Sequence, residues 1–250
     1  MHRIQCAEVW GGIRNQEQDA CSAGIAASLY SSACDGGKSG DIYYLSVCES
    51  DMLTRVAIAD VVGHGEAVSA VSQLIFDALK SHMNDTSGDA VLTAVNGTAS
   101  NQSLKAMTTA AIAAFYTSDQ NLYFAYAGHH PILVKRKGDR KWFDAPLEEA
   151  DPSGNGIANL PLAVMSESVF TQQSMPLTAG DRIFLYTDGV IEAPDHERDE
   201  FGIDRLKAVL EEQGHAPLQE LRTAVLDELR RHTGGNLTHD DVTVLALEIR

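Results

Sequence analysis

The chain has 250 residues, room for one large domain or two small ones, and its 44% hydrophobic and 22% charged content suits a packed core. Lys and Arg total 19 against 35 Asp and Glu, so the formal charge of -16 argues against non-specific binding to nucleic acid or an anionic membrane. No apolar run approaches the roughly 20 residues a membrane helix requires.

In chain order, Met1-His2-Arg3-Ile4-Gln5-Cys6-Ala7-Glu8 meets an acidic residue before any apolar stretch develops, unlike a secretory leader, and a cytosolic location is expected. Cys6, Cys21, Cys34 and Cys48 form no tight C-x-x-C pair, so reduced thiols packing as small hydrophobes are expected. Strands are predicted at Gly24–Ala33, Asp41–Cys48 and Leu53–Val61, with Glu49-Ser50-Asp51-Met52 as a hairpin turn. A helix follows over Glu66–Met83, where Val68, Val71, Ile75, Ala78, Leu79 and His82 share a face, and Asp89–Ala99 reads as a weaker one. Further strands are predicted at Thr108–Tyr116, Asn121–Ala127 and Ile132–Lys137. Beyond a Gly-, Pro- and Asn-rich loop at Ala145–Asn159 come two more, Val169–Met175 and Arg182–Thr187. Asp204 is placed to cap a short helix carrying Leu206, Val209 and Leu210. Pro217 opens another, with Leu218, Leu221, Val225 and Leu229 on one face. The strand Val242–Ile249 closes the chain. No repeat or linker divides it, and the grouped strands with helices between and after them predict an α+β fold of two sheets flanked by helices.

The informative residues are aspartates at strand ends. Asp41 opens a strand after Gly40, and Asp60 ends Val56-Ala57-Ile58-Ala59 and runs into Val61-Val62-Gly63-His64-Gly65. Asp188 ends Ile183-Phe184-Leu185-Tyr186-Thr187 before Gly189, and Asp240 and Asp241 precede the last strand. One Asp-Gly at a strand end is ordinarily a turn. Carboxylates at four strand mouths are placed to converge on hard cations, and Mg²⁺ and Mn²⁺ favour such oxygen ligands while keeping several waters. Two such ions about 3.5–4 Å apart hold a hydroxide for in-line attack and neutralise charge on a phosphoryl group.

Seven ordered motifs resemble a known family. They are Gly40-Asp41-Ile42-Tyr43-Tyr44, Ala59-Asp60-Val61-Val62-Gly63-His64-Gly65, Ala127-Gly128-His129, Leu160-Pro161-Leu162, Tyr186-Thr187-Asp188-Gly189-Val190-Ile191-Glu192-Ala193, Phe201-Gly202 and Asp240-Asp241-Val242-Thr243. Together they resemble the bacterial PPM-type (type 2C-like) serine/threonine phosphatases of the SpoIIE/RsbU group. The resemblance implies an αββα sandwich over residues 24–250, with residues 1–23 as an N-terminal extension, and a centre of two Mn²⁺ or Mg²⁺ ions at one end of the sheets. It implies that Asp60 bridges both ions, that the Val61 carbonyl helps hold one, and that Asp188 and Asp240 complete the other site. Asp41 would ligate or orient water near the first. The substrate it implies is a phosphoserine or phosphothreonine on a STAS-type anti-sigma-factor antagonist in partner switching. Control is implied through the helix after Gly65, and a regulatory partner chain or a homodimer formed through the residues before Gly24 both stay open.

Uncatalysed phosphomonoester hydrolysis is among the slowest reactions known, so the electrostatic help of paired cations suits this reading. His64 is a candidate proton donor to the leaving serine oxygen, or a turn residue between two glycines. Three departures from the family pattern stand out. Ala163 follows Leu160-Pro161-Leu162 where the family usually has glycine, and Tyr44-Leu45 replaces an acidic residue that often follows the first motif. Arg14 superficially matches the phosphate clamp of eukaryotic relatives but lies upstream of the first expected strand.

Other features have blander readings. Gly36-Gly37-Lys38-Ser39 lacks the first glycine of a P-loop, since Ser32 stands there, and a strand follows instead of a helix. Asp188-Gly189-Val190 lacks the aspartate nucleophile of haloacid-dehalogenase-like phosphatases two residues earlier, where Tyr186 stands. His129-His130-Pro131 reads as structural. Lys135-Arg136-Lys137-Gly138-Asp139-Arg140-Lys141 reads as a solvated hairpin tip or a dock for an acidic partner. Two competing classes stay in view, a catalytically silent phosphatase-like binding module and an acidic metal-buffering protein.

Overall fold

The computed structural model describes residues 1–48, 51–64, 67–82, 85, 87–146, 160–235 and 237–250, and among them lie thirteen strands, the longest of them largely apolar runs buried on both faces. In chain order these are β1 (His2–Arg3), β2 (Val9–Arg14), β3 (Gln16–Cys21), β4 (Ile25–Ser32), β5 (Lys38–Cys48) and β6 (Leu53–Val61). Then come β7 (Thr108–Tyr116), β8 (Asn121–Ala127), β9 (Leu133–Lys135), β10 (Phe143–Asp144), β11 (Gln173–Pro176), β12 (Arg182–Tyr186) and β13 (Val242–Ile249). The helices are α1 (Ser69–Ser81), α2 (Gly88–Ser100), α3 (Asp188–Ile191), α4 (Gly202–Glu212) and α5 (Leu218–His232).

One sheet runs β1-β3-β4-β13-β12-β9-β10 and the other β11-β8-β7-β6-β5-β2. Pairing is antiparallel except between β1 and β3. Ile25, Ala27 and Leu29 of β4 and Leu245, Leu247 and Ile249 of β13 meet Leu45, Val47, Val56 and Ile58 of β5 and β6 between the sheets. On the outer face of the second sheet, Ile75 and Leu79 of α1 and Val91, Leu92 and Val95 of α2 cover Ile42, Tyr44, Ala57 and Ala59. On the outer face of the first, Leu206 and Leu210 of α4 and Leu221, Val225 and Leu229 of α5 cover Phe184, Tyr186 and Val244. The result is the expected α+β architecture, two sheets with helices on both outer faces.

Residues 1–23, set apart at the sequence level as an extension, supply β1, β2 and β3, which pair into both sheets. Buried Arg222 of α5 fastens them, donating to the Leu29 carbonyl at 2.8 Å and to Glu17 Oε1 at 2.6 Å. Asp204 lies inside the first turn of α4, where its charge faces the positive end of the helix dipole, and Phe201 takes the capping position. The strand expected at Val169–Met175 begins only at Gln173. Glu49 and Ser50 of the expected hairpin turn, Glu66 and Met83 at the ends of the expected helix, and residues 147–159 of the expected loop lie outside the described residues. The basic run is only partly a solvated tip. Lys135 is buried at the end of β9, and Arg136 donates to Asp181 Oδ2 at 2.9 Å and to the Pro176 carbonyl at 2.6 Å.

Ala163 adopts a φ of 66°, the left-handed region glycine occupies without strain, and its N–H donates to Asn96 Oδ1 at 2.8 Å. Ala163→Gly is therefore expected to stabilise the protein by at most about 0.5 kcal/mol, the relief of left-handed strain less the added unfolded-chain entropy and the lost burial of one methyl group. Urea denaturation reads this directly, and a midpoint that falls instead would refute the strain.

Candidate active site

At one end of the sandwich the apolar rows between the sheets end in polar side chains. Asp41 and Asp60 are direct partners across the β5–β6 ladder, and their parity with Tyr43, Leu45, Val56 and Ile58 puts both on the face between the sheets. From the opposite sheet, Thr187 continues the row of Ile183 and Leu185, and Thr243 and Asp241 continue that of Leu245 and Leu247. Asp188 begins α3 just beyond β12, and Asp240 precedes β13.

Hydrogen bonds join the two sheets here. Thr187 Oγ1 donates to Asp41 Oδ2 at 2.8 Å and accepts from the Thr243 N–H at 3.0 Å, and Thr243 Oγ1 donates to Ser31 Oγ at 2.9 Å. Buried Asp241 accepts the N–H groups of Cys34 at 2.8 Å and of Gly40 at 2.5 Å. It thus locks the segment that delivers Asp41 onto the start of β13. Gly189 is required by close approach, since a Cβ there would stand 2.0 Å from the Asp241 carbonyl oxygen. The Gly189 carbonyl accepts from His239 Nε2 at 2.7 Å.

The carboxylates feel one another. Burial first, and then the charges of Asp41, Asp188, Asp240 and Asp241, hold Asp60 well above the usual carboxylate range. Burial does the same for Asp41, against hydrogen bonds from Thr187 and Thr243, with Asp241 and Asp188 adding to the rise. Asp240 is raised as well, by burial and then by Asp188 and Asp241, while the Asp241 N–H and the nearby His64 ring oppose it. Among the described residues no three His, Cys, Asp or Glu side chains stand as a ready-made metal cluster. The donor set nevertheless fits hard divalent cations. It is all carboxylate, it crowds like charges that burial makes costly, and a cation removes that cost where a proton otherwise must.

The structure thus brings Asp41, Asp60, Asp188 and Asp240 within one another's field. Val61 follows Asp60 as the last residue of β6. His64 is exposed at the rim, its Nδ1 3.2 Å from Cys34 Sγ, and burial followed by the charges of Asp241, Asp35 and Asp240 pushes that thiol up to about 11. Sequence alone marks Asp241 with Asp240 as a strand-end aspartate but gives no site role to Thr187 or Thr243. Their signal was strand parity, which shows only once the inward face is known. Arg14 lies within β2, opposite Lys38 and three positions before Asp41 on β5, and so belongs to the same end of the second sheet.

The family model described as stage II sporulation protein E (SpoIIE) matches residues 50–250. The phosphoserine phosphatase RsbU of Bacillus subtilis is 28% identical over 215 residues, which cover 84% of this chain and 59% of RsbU. The chain spans less than two thirds of the curated relatives it matches. The crystal structure of the RsbU and RsbW domains of Rv1364c from Mycobacterium tuberculosis aligns with a TM-score of 0.76 at 25% identity, over 92% of this chain and 61% of that one. RsbX in complex with magnesium shares the fold at a TM-score of 0.68 and 16% identity, over 94% of this chain and 100% of that one.

Next to this end, His129 is buried, donates from Nδ1 to the His130 carbonyl at 3.0 Å, and has no partner at Nε2 among the described residues. His130 stacks on Tyr186 with ring centroids 5.9 Å apart. Burial pushes His129 down to about 4 from an ordinary value of 6.5. The unfolded chain therefore binds the proton first, so stability is complete above about pH 6.5 and falls as pH drops towards 4, by roughly 3 kcal/mol in all. Urea denaturation across this window in chelator is expected to show that slope in the native protein and a flatter one in His129→Gln. Identical slopes would remove His129 as its source.

Proposed function

Because this chain belongs to the SpoIIE family, whose structural neighbours are PPM phosphatase domains, we propose that it is a cytoplasmic, metal-dependent phosphatase acting on phosphoserine or phosphothreonine of a signalling protein. One observation carries the reading: Asp41 and Asp60 are paired on the face between the sheets, Thr187 and Asp241 of the opposite sheet bond to that same strand end, and Asp188 and Asp240 directly adjoin those two in the chain. RsbU, the similar curated protein, is a phosphoserine phosphatase, and a STAS-type antagonist in partner switching is the substrate class we assign by that likeness.

Asp60 would hold both of two Mn²⁺ or Mg²⁺ ions, with the Val61 carbonyl and Asp41 helping to hold one and Asp188 and Asp240 the other. When bound, such ions supply an activated water and neutralise charge on the phosphoryl group. The protein's own groups do the rest. Thr187 holds the Asp41 carboxylate through a hydrogen bond that favours its ionised form, and Thr243 holds Thr187 through its N–H. Asp241 fixes the backbone at Gly40 so that Asp41 stays opposite Asp60. His64, exposed beside Asp240, hands a proton to the departing serine oxygen. Arg14, at the same end of the second sheet, is the candidate to face the substrate phosphate.

The test uses hydrolysis of an aryl phosphate by the full chain with and without Mn²⁺. Turnover is expected to require the ion and to fall by on the order of 10²-fold or more in Asp188→Asn. Mn²⁺ is also expected to raise the melting temperature of the native protein and not of Asp188→Asn, because a ligand specific to the folded state stabilises it. Cation-dependent melting with no turnover on aryl phosphate or phosphopeptide would replace the enzyme by a silent module or a metal buffer.

A further inference from the structure

At the end of the first sheet away from the aspartates lies a cavity of about 330 Å³ lined by Lys135, Lys137, Arg182 and Glu248, with Gly180 and Gly214 in its wall. Arg182 is six residues before Asp188, which places the cavity on the order of 20 Å from the acidic end. Lys135 is only 2% exposed, its stem is buried while its ammonium opens on the cavity, and that ammonium has no hydrogen-bond or ion-pair partner among the described residues. Directly opposite it in the β9–β12 ladder stands Arg182, another cation and also buried.

The charges there do not balance. Glu248 is spent on Arg182, whose Nε donates to Glu248 Oε2 at 2.8 Å while its Nη1 donates to the carbonyls of Ala216 at 2.7 Å and Gly214 at 3.2 Å. Asp181 is spent on Arg136 and on the backbone N–H of Lys137. Among the described residues the ammonium groups of Lys135 and Lys137 have no ion-pair partner, and four cations, Lys135, Arg136, Lys137 and Arg182, face three carboxylates, Asp139, Asp181 and Glu248, so one positive charge is left over. Partial desolvation of a cation is costly, and like charges directly opposite in a ladder repel, so an anion entering the cavity relieves both. Burial and then the Arg182 charge push the Lys135 ammonium below its ordinary range, against the pull of Asp139, Asp181 and Glu248. The backbone makes room for this arrangement. A Cβ at Gly214 would stand 2.9 Å from Lys135 Cε, and one at Gly180, whose φ is 93°, would stand 2.9 Å from Lys137 Cδ.

We propose that this cavity is a binding site for a small phosphate dianion, either free orthophosphate or the phosphate of a small monoester, held by Lys135 and Lys137. A phosphate monoester carries close to two negative charges at neutral pH and has three strong acceptor oxygens, matching two unpaired donors. The volume lies at the lower end for small-molecule sites, about 300–1,000 Å³, and leaves space for a modest group beyond the phosphate.

The experiment records amide spectra of the ¹⁵N-labelled full chain in chelator at constant ionic strength, titrated separately with inorganic phosphate and with AMP. Saturable shifts at Gly138, Gly180 and Gly214 are expected, weakened at least about tenfold in Lys135→Met, as for loss of a charged hydrogen bond. Lys137→Ala, a change at an exposed position, is expected to weaken them by roughly threefold while leaving aryl phosphate turnover unchanged. Binding of phosphate as tight as that of AMP assigns the free ion, and tighter AMP binding assigns a monoester. Absence of saturation with both probes up to ~10 mM, affinities unchanged in both variants, or shifts confined to the neighbourhood of Asp41, Asp188 and Asp240 would each overturn the site.

Discussion

Two facing sheets hold like charges together at one end of an apolar gap, and most of the architecture follows from making that tolerable. The strand alternation that sends Leu45, Val56 and Leu245 into the gap also sends Asp41, Asp60 and Asp241 there, so core and site are successive stretches of the same rows. The apolar part of each row supplies cohesion through burial, and the polar part uses the rigidity this creates. Carboxylates on flexible loops would move apart to stay hydrated. On paired strands they stay close, and their proton affinity rises as a result.

Asp241 has a different duty from its neighbours. Its two oxygens are taken by the backbone N–H groups of Cys34 and Gly40, so it works as a clamp between the sheets. The clamp sits beside a second anchor, the Ser72 hydroxyl of α1, which donates to the Gly40 carbonyl at 3.1 Å. The residue preceding Asp41 is therefore held by the last strand of one sheet and by the first helix over the other. A displacement of α1 reaches Asp41 through one hydrogen bond and one peptide unit.

Much of this was legible in the sequence, and where it was not the reason is physical. The long apolar strands β5 to β8, β12 and β13 announce themselves by composition, and α5 by its apolar period. β2 and β3 escaped notice. Val9–Arg14 carries Gly11 and Gly12, which weaken a strand signal, yet Gly11 is there because a Cβ would stand 2.6 Å from the Tyr43 carbonyl oxygen. Gln16–Cys21 is polar because its partners include Arg222, which no local pattern reveals. The aspartates were readable from their place at strand ends, whereas Thr187 and Thr243 were not, because a threonine in a strand is ordinary until its facing residue is known. Lys135 was read as part of a solvated tip for the same reason. Charge predicts exposure on average, and only the fold shows where it fails.

The pairing of Asp41 with Asp60 has a consequence for how the chain threads itself. A slip of one residue between β5 and β6 would turn every side chain to the other face and carry acids into the oily layer beneath α1 and α2. Such a misthreaded hairpin would have to bury charge with nothing nearby to answer it, so it is penalised from the moment the helices dock. The residues best placed for chemistry thereby also act as proofreaders of the hairpin that presents them.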